Sequence, residues 1–346
     1  MKTIAVDAMG GDNAPQAIVA GIEQARDDFA DLQFQLYGNE AQLKELVKNT
    51  ERITIVPTTE VVTGEDEPTR AIRRKKDSSL VRAALAAKNG DADAFYSAGN
   101  TGAVLTAGVL LVGRIKGIER PGLITIFPTV NKDQHFLMLD VGANAESKPS
   151  YLHQFALMGQ FYAHDVLGLE QPRVGLLNNG TEADKGDSLH KTVHELLAND
   201  PDINFVGNVE ASNLFNAPAD VVVTDGFTGN ATLKAMEGTA GTVMHLLKQN
   251  LLNNGLLPKL GAAMAKPAFK ALAEMFDADR AGGAVLIGVK APVVKSHGNS
   301  DAHTVYFVQK QLRAMLNAGT VQNVIQYFST HPAEPAAPEA AKEETN

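Results

Sequence analysis

Cysteine and tryptophan are both absent from the 346 residues, and aromatic side chains make up only 6%. Without a thiol there is no disulfide framework, no thiolate metal site and no cysteine nucleophile. Long apolar runs are also missing. The longest, around Ala103–Val112, is broken by glycine and falls well short of the roughly 20 residues that cross a bilayer. No two glycines are separated by a single residue, so the dinucleotide fingerprint GxGxxG cannot occur. The nearest approach to a Walker A sequence, Gly283–Lys290, places its lysine one position late. Neither a GxSxG elbow nor an HExxH helix is present. These absences count against a nicotinamide dehydrogenase, a P-loop kinase and an α/β-hydrolase.

Basic charge is in deficit as well. The net charge is −9, and general nucleic-acid binding needs a basic footprint. Hydrophobic residues make up 44% and charged residues 21%, an ordinary globular balance with enough apolar mass for a sizeable core. The start, MKTIAVDAMGGD, reads as a strand entering a glycine turn, with one lysine and no sustained apolar segment. No signal peptide is expected there.

What is present is a rhythm of short β-branched runs and helix-like segments. Thr3–Asp7, Gln33–Tyr37 and Ile53–Val56 read as strands, with Pro15–Asp27 and Glu40–Val47 as the helices between them. Further strands are expected at Ala94–Ser97, Leu123–Phe127, Phe136–Asp140, Val174–Leu177 and Val221–Thr224. This alternation predicts an α/β fold with a mostly parallel sheet covered on both faces. Residues 1–330 read as one domain without a linker or internal repeat. Residues 331–346, rich in Ala, Pro and Glu, read as a disordered tail. Residues 251–276 break the rhythm. Gly255, Pro258 and Pro267 divide them into two short helical pieces with apolar residues at helical spacing, predicting a protruding helical tip.

Five segments at strand ends are dense in Gly, Asn, Thr and Asp: Asp7–Asp12, Ser97–Gly102, Asp140–Asn144, Asn178–Glu182 and Asp225–Asn230. Each taken alone is equally a βα turn with a capping residue. Together they suit an anion held by backbone N–H groups and small polar side chains outside the carboxyl ends of the strands. Ser97–Gly102, which runs from a strand into an apolar helix, has the best context. Arg70–Lys76 holds five cations in seven positions. It reads either as a solvated helix face or as a dock for an acidic partner. His190 and His194 lie four apart on a predicted helix. With no further ligand nearby they read as a solvated face rather than a metal pair, and no metal site is expected.

The segments VDAMGGDNAP, RAIRRKKDSS, SAGNTGA, GRIKGIERP, LDVGAN, NGTEADKG, VVVTDGFTGNATLK and GVKAPVVKSHGNSD occur in that order over about residues 1–315. In these stretches the chain resembles the phosphate acyltransferases of bacterial phospholipid synthesis. The resemblance implies a Rossmann-like three-layer α/β/α sandwich, usually a homodimer, that needs no cofactor. It implies transfer of a fatty acyl group from acyl carrier protein to inorganic phosphate. The acyl phosphate would then feed a glycerol-3-phosphate acyltransferase. Phosphate is itself the nucleophile, so the protein has only to position it and stabilise the oxyanion.

On this reading phosphate is expected at Asn100, Thr101 and Gly102, with Lys185 adding positive charge. Asn230 and Thr228 would hold the carbonyl oxygen, and Asp225 and His297 would handle protons. Asp7, Gly10, Gly11, Asp12, Asn144, Thr181 and Glu182 would complete the pocket. Arg70, Arg73, Arg74, Lys75 and Lys76 would dock the carrier. Leu256, Leu257, Leu260 and Phe269 would touch an anionic membrane, making the protein cytoplasmic and peripheral to the inner face of the cell membrane; the same apolar stripe equally suits a dimer interface. The competing readings are a phosphotransacetylase acting on a coenzyme A thioester, and a membrane-associated scaffold without activity.

Overall fold

The computed structural model describes residues 1–131, 134–253, 255, 261–269 and 282–331. The chain opens with β1 (Lys2–Asp7), α1 (Gln16–Asp28), β2 (Leu32–Gly38), α2 (Glu40–Leu46) and β3 (Ile53–Pro57). Two helices, α3 (Pro68–Arg74) and α4 (Ser79–Asn89), lead to β4 (Ala94–Ser97). Next come α5 (Thr101–Ala107), which continues as a π-helical turn over Gly108–Gly113, and the hairpin β5 (Gly122–Pro128) and β6 (His135–Leu139). Then follow α6 (Pro149–Leu167), β7 (Val174–Asn178), α7 (Ser188–Asn199), β8 (Phe205–Glu210) and β9 (Val221–Val223). The 28-residue α8 (Gly226–Asn253) precedes a helix, α9, over 261–269. The described chain closes with β10 (Ala284–Ile287), β11 (Val293–Lys295), α10 (Ala302–Ala318) and α11 (Thr320–Thr330).

The eleven strands among the described residues form one sheet in the order β3-β2-β1-β4-β11-β10-β5-β6-β9-β7-β8. Seven of its ten pairings are parallel, and the three antiparallel ones involve β10 or the β5–β6 hairpin. The α/β class and the mostly parallel sheet expected from sequence are both present. Successive residues of β1 show why the strands read as unbroken apolar runs. Ile4 and Val6 pack with Ile18 and Ile22 of α1 and Val305 of α10, whereas Ala5 packs with Leu80 and Ala84 of α4. Side chains alternate between faces, and both faces are covered, so both sets must be apolar. A third cluster, with Phe136, Met138 and Val222, lies under Leu233 and Met236 of α8.

Three strands escaped the sequence reading: β8, β10 and β11. The last two are only four and three residues long. Position in the sheet gives them their importance. β11 enters between β4 and β10, pairing parallel with β4 from some 200 residues away in sequence.

The protruding tip departs in part from expectation. The residues of α8 from Ala231 to Leu251 are all exposed or half-buried. The helix 261–269 runs through Pro267 instead of breaking there. Leu256, Leu257 and Leu260, and residues 332–346 of the expected tail, lie outside the described residues. Among the described residues no helix is long and apolar enough to cross a membrane.

Candidate active site

The carboxyl ends of β1, β4 and β11 place three polar residues in one row. Asp7 pairs in register with Ser97, and Ser97 with Lys295. Neighbours in such a row point to the same face, about 4.8 Å apart from strand to strand. Ser97 Oγ donates to Asp7 Oδ2 at 2.7 Å and accepts from Gly99 N at 2.9 Å. Asp7 is almost fully buried, and burial pushes its carboxyl above the usual carboxylate range despite these donors. The loops after β1 and β4 touch through their glycines. A Cβ on Gly10 would lie 2.4 Å from Asp7 Oδ2 and 2.9 Å from the Gly99 nitrogen. Only glycine permits that approach.

Lys295 ends β11 and is only 7% exposed. Its ammonium donates to the carbonyls of Ala98, at 3.3 Å, and Ser296. Burial drives its pKa down to about 8, while Asp12 and Asp7 act the other way. A cleft of about 500 Å³ opens beside it, with Thr101, Asn230, Lys234, Glu237, Lys295, Ser296 and His297 among its polar lining residues. Leu123, Ile126, Phe127, Val141, Phe215, Leu233 and Met236 form an apolar wall. The cleft thus joins a buried cation to a greasy surface. Ser296 is fixed by Tyr96, whose hydroxyl lies 2.9 Å from its Oγ, and by Ser300 Oγ, which donates at 3.0 Å.

Of the residues expected from sequence, Thr101, Asn230 and His297 meet at this cleft. His297 is largely exposed at its rim, with Nε2 3.6 Å from Glu237 Oε1. Asn100 has a different task. Its Oδ1 caps α5 by accepting from Ala103 N at 3.0 Å, and its Nδ2 donates to the carbonyls of Thr63, Gly64 and Asp66. Both ends of the amide are occupied in tying the 63–66 loop to α5. Gly102 abuts Pro68: a Cβ there would lie 2.6 Å from Pro68 Cγ. The basic helix α3 is therefore held against the start of α5.

Asp12 and Gly11 close the near side of the site through Asp12 N, which donates to the Gly298 carbonyl at 2.6 Å. Asn144 serves the loop after β6. Buried Asp140 accepts from the backbone nitrogens of Leu123, Gly142, Ala143 and Asn144 and from Asn144 Nδ2, all within 3.0 Å. α8 begins against this loop. A Cβ on Gly229 would lie 1.9 Å from the Asp140 carbonyl oxygen, and one on Gly226 2.1 Å from that of Asn144. Asp225 caps α8, accepting from Thr228 N at 2.9 Å.

Lys185, Thr181 and Glu182 stand on the exposed loop after β7 and are not among the residues lining the cleft. The expectation of a solvated face for His190 and His194 is corrected. His190 Nδ1 lies 2.7 Å from Asp187 Oδ1 and its Nε2 3.9 Å from Asp225 Oδ2. His194 pairs with Asn208 Oδ1 at 3.0 Å and meets the Phe205 ring edge-on. The tertiary fold draws both rings inward. Among the described residues no group of three or more acidic, His or Cys side chains could hold a metal ion.

The basic run is split. Arg70, Arg73, Arg74 and Lys76 are exposed and make no ion pair among the described residues. Lys75 instead turns inward to Asp66 Oδ2 at 2.6 Å and the Val61 carbonyl at 2.9 Å. Phe269, in the 261–269 helix, is half-buried and faces a hollow shared with Met244, Leu247 and Leu251 of α8. The residue missed from sequence is Lys295. It follows an apolar run, and nothing in VVKS announces that its side chain will be buried in one row with Ser97 and Asp7.

A mostly parallel sheet carrying its polar cleft at the carboxyl strand ends defines a class of α/β enzyme fold, and solved structures share it. The phosphotransacetylase of Streptococcus pyogenes superposes with a TM-score of 0.58 at 16% identity, covering 93% of this chain and 94% of that one. The branched-chain phosphotransacylase of Enterococcus faecalis also gives 0.58, at 14% identity, covering 91% and 99%. At such identities the likeness shows the fold alone. The family model described as "Fatty acid synthesis protein" matches residues 2–323, and the chain belongs to that family. The phosphate acyltransferase of Latilactobacillus sakei is 58% identical over 331 residues, covering 96% of this chain and 98% of that protein. That of Streptococcus pneumoniae is 56% identical over 329 residues, covering 95% and 99%. The chain is an acyltransferase.

Proposed function

We propose that this enzyme, which transfers an acyl group to inorganic phosphate, takes it from the thioester of an acyl carrier protein. The observation that carries the reading is the cleft in which buried Lys295 and Thr101 stand with an apolar wall. One substrate must be a small anion and the other must bring a greasy chain. Lys295 supplies the positive charge that the sequence reading assigned to Lys185, and Thr101 with the N–H groups at the start of α5 supplies neutral donors. Asn100 acts by holding that loop in place.

A phosphate oxygen attacks the thioester carbonyl, forming a C–O bond and a tetrahedral oxyanion. Asn230, which lines the cleft from α8, donates its amide N–H to that oxyanion. The intermediate collapses, the C–S bond breaks, and the sulfur leaves as thiolate to take a proton from solvent or from His297 at the rim. Acyl phosphate and free carrier thiol result, with no change of oxidation state. Asp225 and Thr228 shape the start of α8, and Lys185, Thr181 and Glu182 flank the site on the neighbouring loop. Asp7, Gly10, Gly11, Asp12 and Asn144 form its floor and edges.

The basic helix supports the carrier as donor. Four exposed cations lie on and just after α3, which packs against α5, whose first residue Thr101 lines the cleft, in a chain whose net charge is −9. An acidic carrier docked there brings its thioester to the reacting groups. The acyl phosphate, poorly soluble in water, is released at an anionic membrane touched by residues 251–276, for a downstream glycerol-3-phosphate acyltransferase. The working unit is a homodimer at the cytoplasmic face. The test is phosphate-dependent release of carrier thiol, with palmitoyl-carrier compared against acetyl-coenzyme A. Preference for the coenzyme A ester, undiminished by charge reversal on α3, would replace this donor by coenzyme A.

A further inference from the structure

Three hollows lie end to end along α8. The reaction cleft shares Phe215, Met236 and Ala240 with a second groove of about 570 Å³. That groove shares Met244 with the hollow of about 370 Å³ that Phe269 helps to close. Positions 236, 240 and 244 are four apart, so they lie on one stripe of the helix. The second groove holds no charged side chain. Its polar members, Ser212, Thr232 and Thr239, are hydroxyls. Val243 is 55% exposed on this groove, an apolar surface with no partner among the described residues.

Building on the acyl-transfer reading above, we infer that this stripe of α8 is the track for the substrate's acyl chain, and that it sets chain-length preference. From Met236 to Met244 the helix rises about 12 Å, and to Leu251 about 22 Å, at 1.5 Å per residue. A saturated chain of ~1.5 Å bonds at ~111° advances about 1.25 Å per carbon. The second groove therefore covers about ten carbons, and the hollow beside Phe269 takes a chain to about eighteen. The occupant is a chain and not a helix of a second copy because the second groove shares Phe215, Met236 and Ala240 with the cleft where the acyl carbonyl reacts. Its inner end is where the carbonyl must sit, and its outer end meets the tip through which the product leaves.

The test places bulk midway along the track, in Val243→Trp and, separately, Thr239→Trp. For the wild type and both variants, phosphate-dependent thiol release is measured with butyryl- and palmitoyl-carrier. Binding of palmitate is measured alongside, and mass in solution by sedimentation. The expected result is a fall of at least ten-fold in the palmitoyl-to-butyryl turnover ratio, with weaker palmitate binding and unchanged mass. An unchanged ratio and unchanged palmitate binding in both variants overturn the track. If the variants alter mass and leave the ratio intact, the groove belongs to an interface between copies. If the wild type releases no carrier thiol but binds palmitate in a Val243-dependent way, the track stands and the carrier reading falls.

Discussion

Replacing Lys295 with Met should stabilise the protein and disable it at once. The ammonium is 7% exposed, and its pKa lies near 8 against an ordinary 10.5. That difference corresponds to about 3 kcal/mol of extra cost for keeping the charge in place. Met removes the charge at similar volume but leaves the Ala98 and Ser296 carbonyls without this donor, returning about 1 kcal/mol each. The net gain is about 1 kcal/mol at neutral pH, measured by urea unfolding. The sign can be checked against pH. A lysine with a lowered folded pKa binds fewer protons folded than unfolded between about pH 8 and 10.5. Wild-type stability should therefore gain from this group as pH rises through that window, and the Met variant should lack the gain. Activity should move oppositely. Losing this buried cation should lower turnover by about 10²–10³, the scale seen when a preorganised donor is removed. In the wild type, apparent phosphate affinity should weaken above about pH 8 as the ammonium deprotonates. In Lys295→Arg that decline should vanish, because guanidinium stays charged. A Met variant that is less stable than wild type, or that keeps wild-type phosphate kinetics, would refute the reasoning.

Thr101→Ala should raise the phosphate concentration needed for half-maximal rate with little change in stability. Asn100→Ala should instead cost about 1–2 kcal/mol, because it removes the cap of α5 and the three carbonyl contacts to the 63–66 loop; steady-state kinetics beside thermal unfolding separates the two. Arg73→Glu with Arg74→Glu should weaken carrier binding, and wild-type binding should fall with added salt, as titration calorimetry at two ionic strengths will show. Leaving Lys75 untouched spares its pair with Asp66, so stability should hold. Gly229→Ala should destabilise by about 3 kcal/mol or more, since a Cβ 1.9 Å from the Asp140 carbonyl oxygen must displace backbone. A well-folded, fully active Gly229→Ala protein would show that the start of α8 is not held against the 140–144 loop.

The strands of the βα rhythm could be read from the chain because local pattern dictates them. Val, Ile and Leu runs ending in Asp, Ser or Asn announce both a buried strand and a polar turn. The eight strands read from sequence appear within a few residues of their expected limits. Three of the five glycine-dense turns, those holding Thr101, Gly142 and Asn230, line the candidate cleft, and they were legible for the same reason: a glycine-dense turn after a strand is a local event. Which of their side chains meet was not. Asn100 and Thr101 are neighbours in one motif, yet one is consumed by the 63–66 loop and the other faces the cleft. Lys75 and Arg74 sit side by side in one basic run, yet one turns inward to Asp66 and the other stays exposed. Lys295 gained its character only when β11 slid in beside β4, putting an ammonium into a buried row with Ser97 and Asp7. Chain pattern governs backbone hydrogen bonding and the faces of each element, which act over a few residues. Desolvation and charge pairing depend on distances through space between segments far apart in the chain, and those are decided by tertiary packing alone.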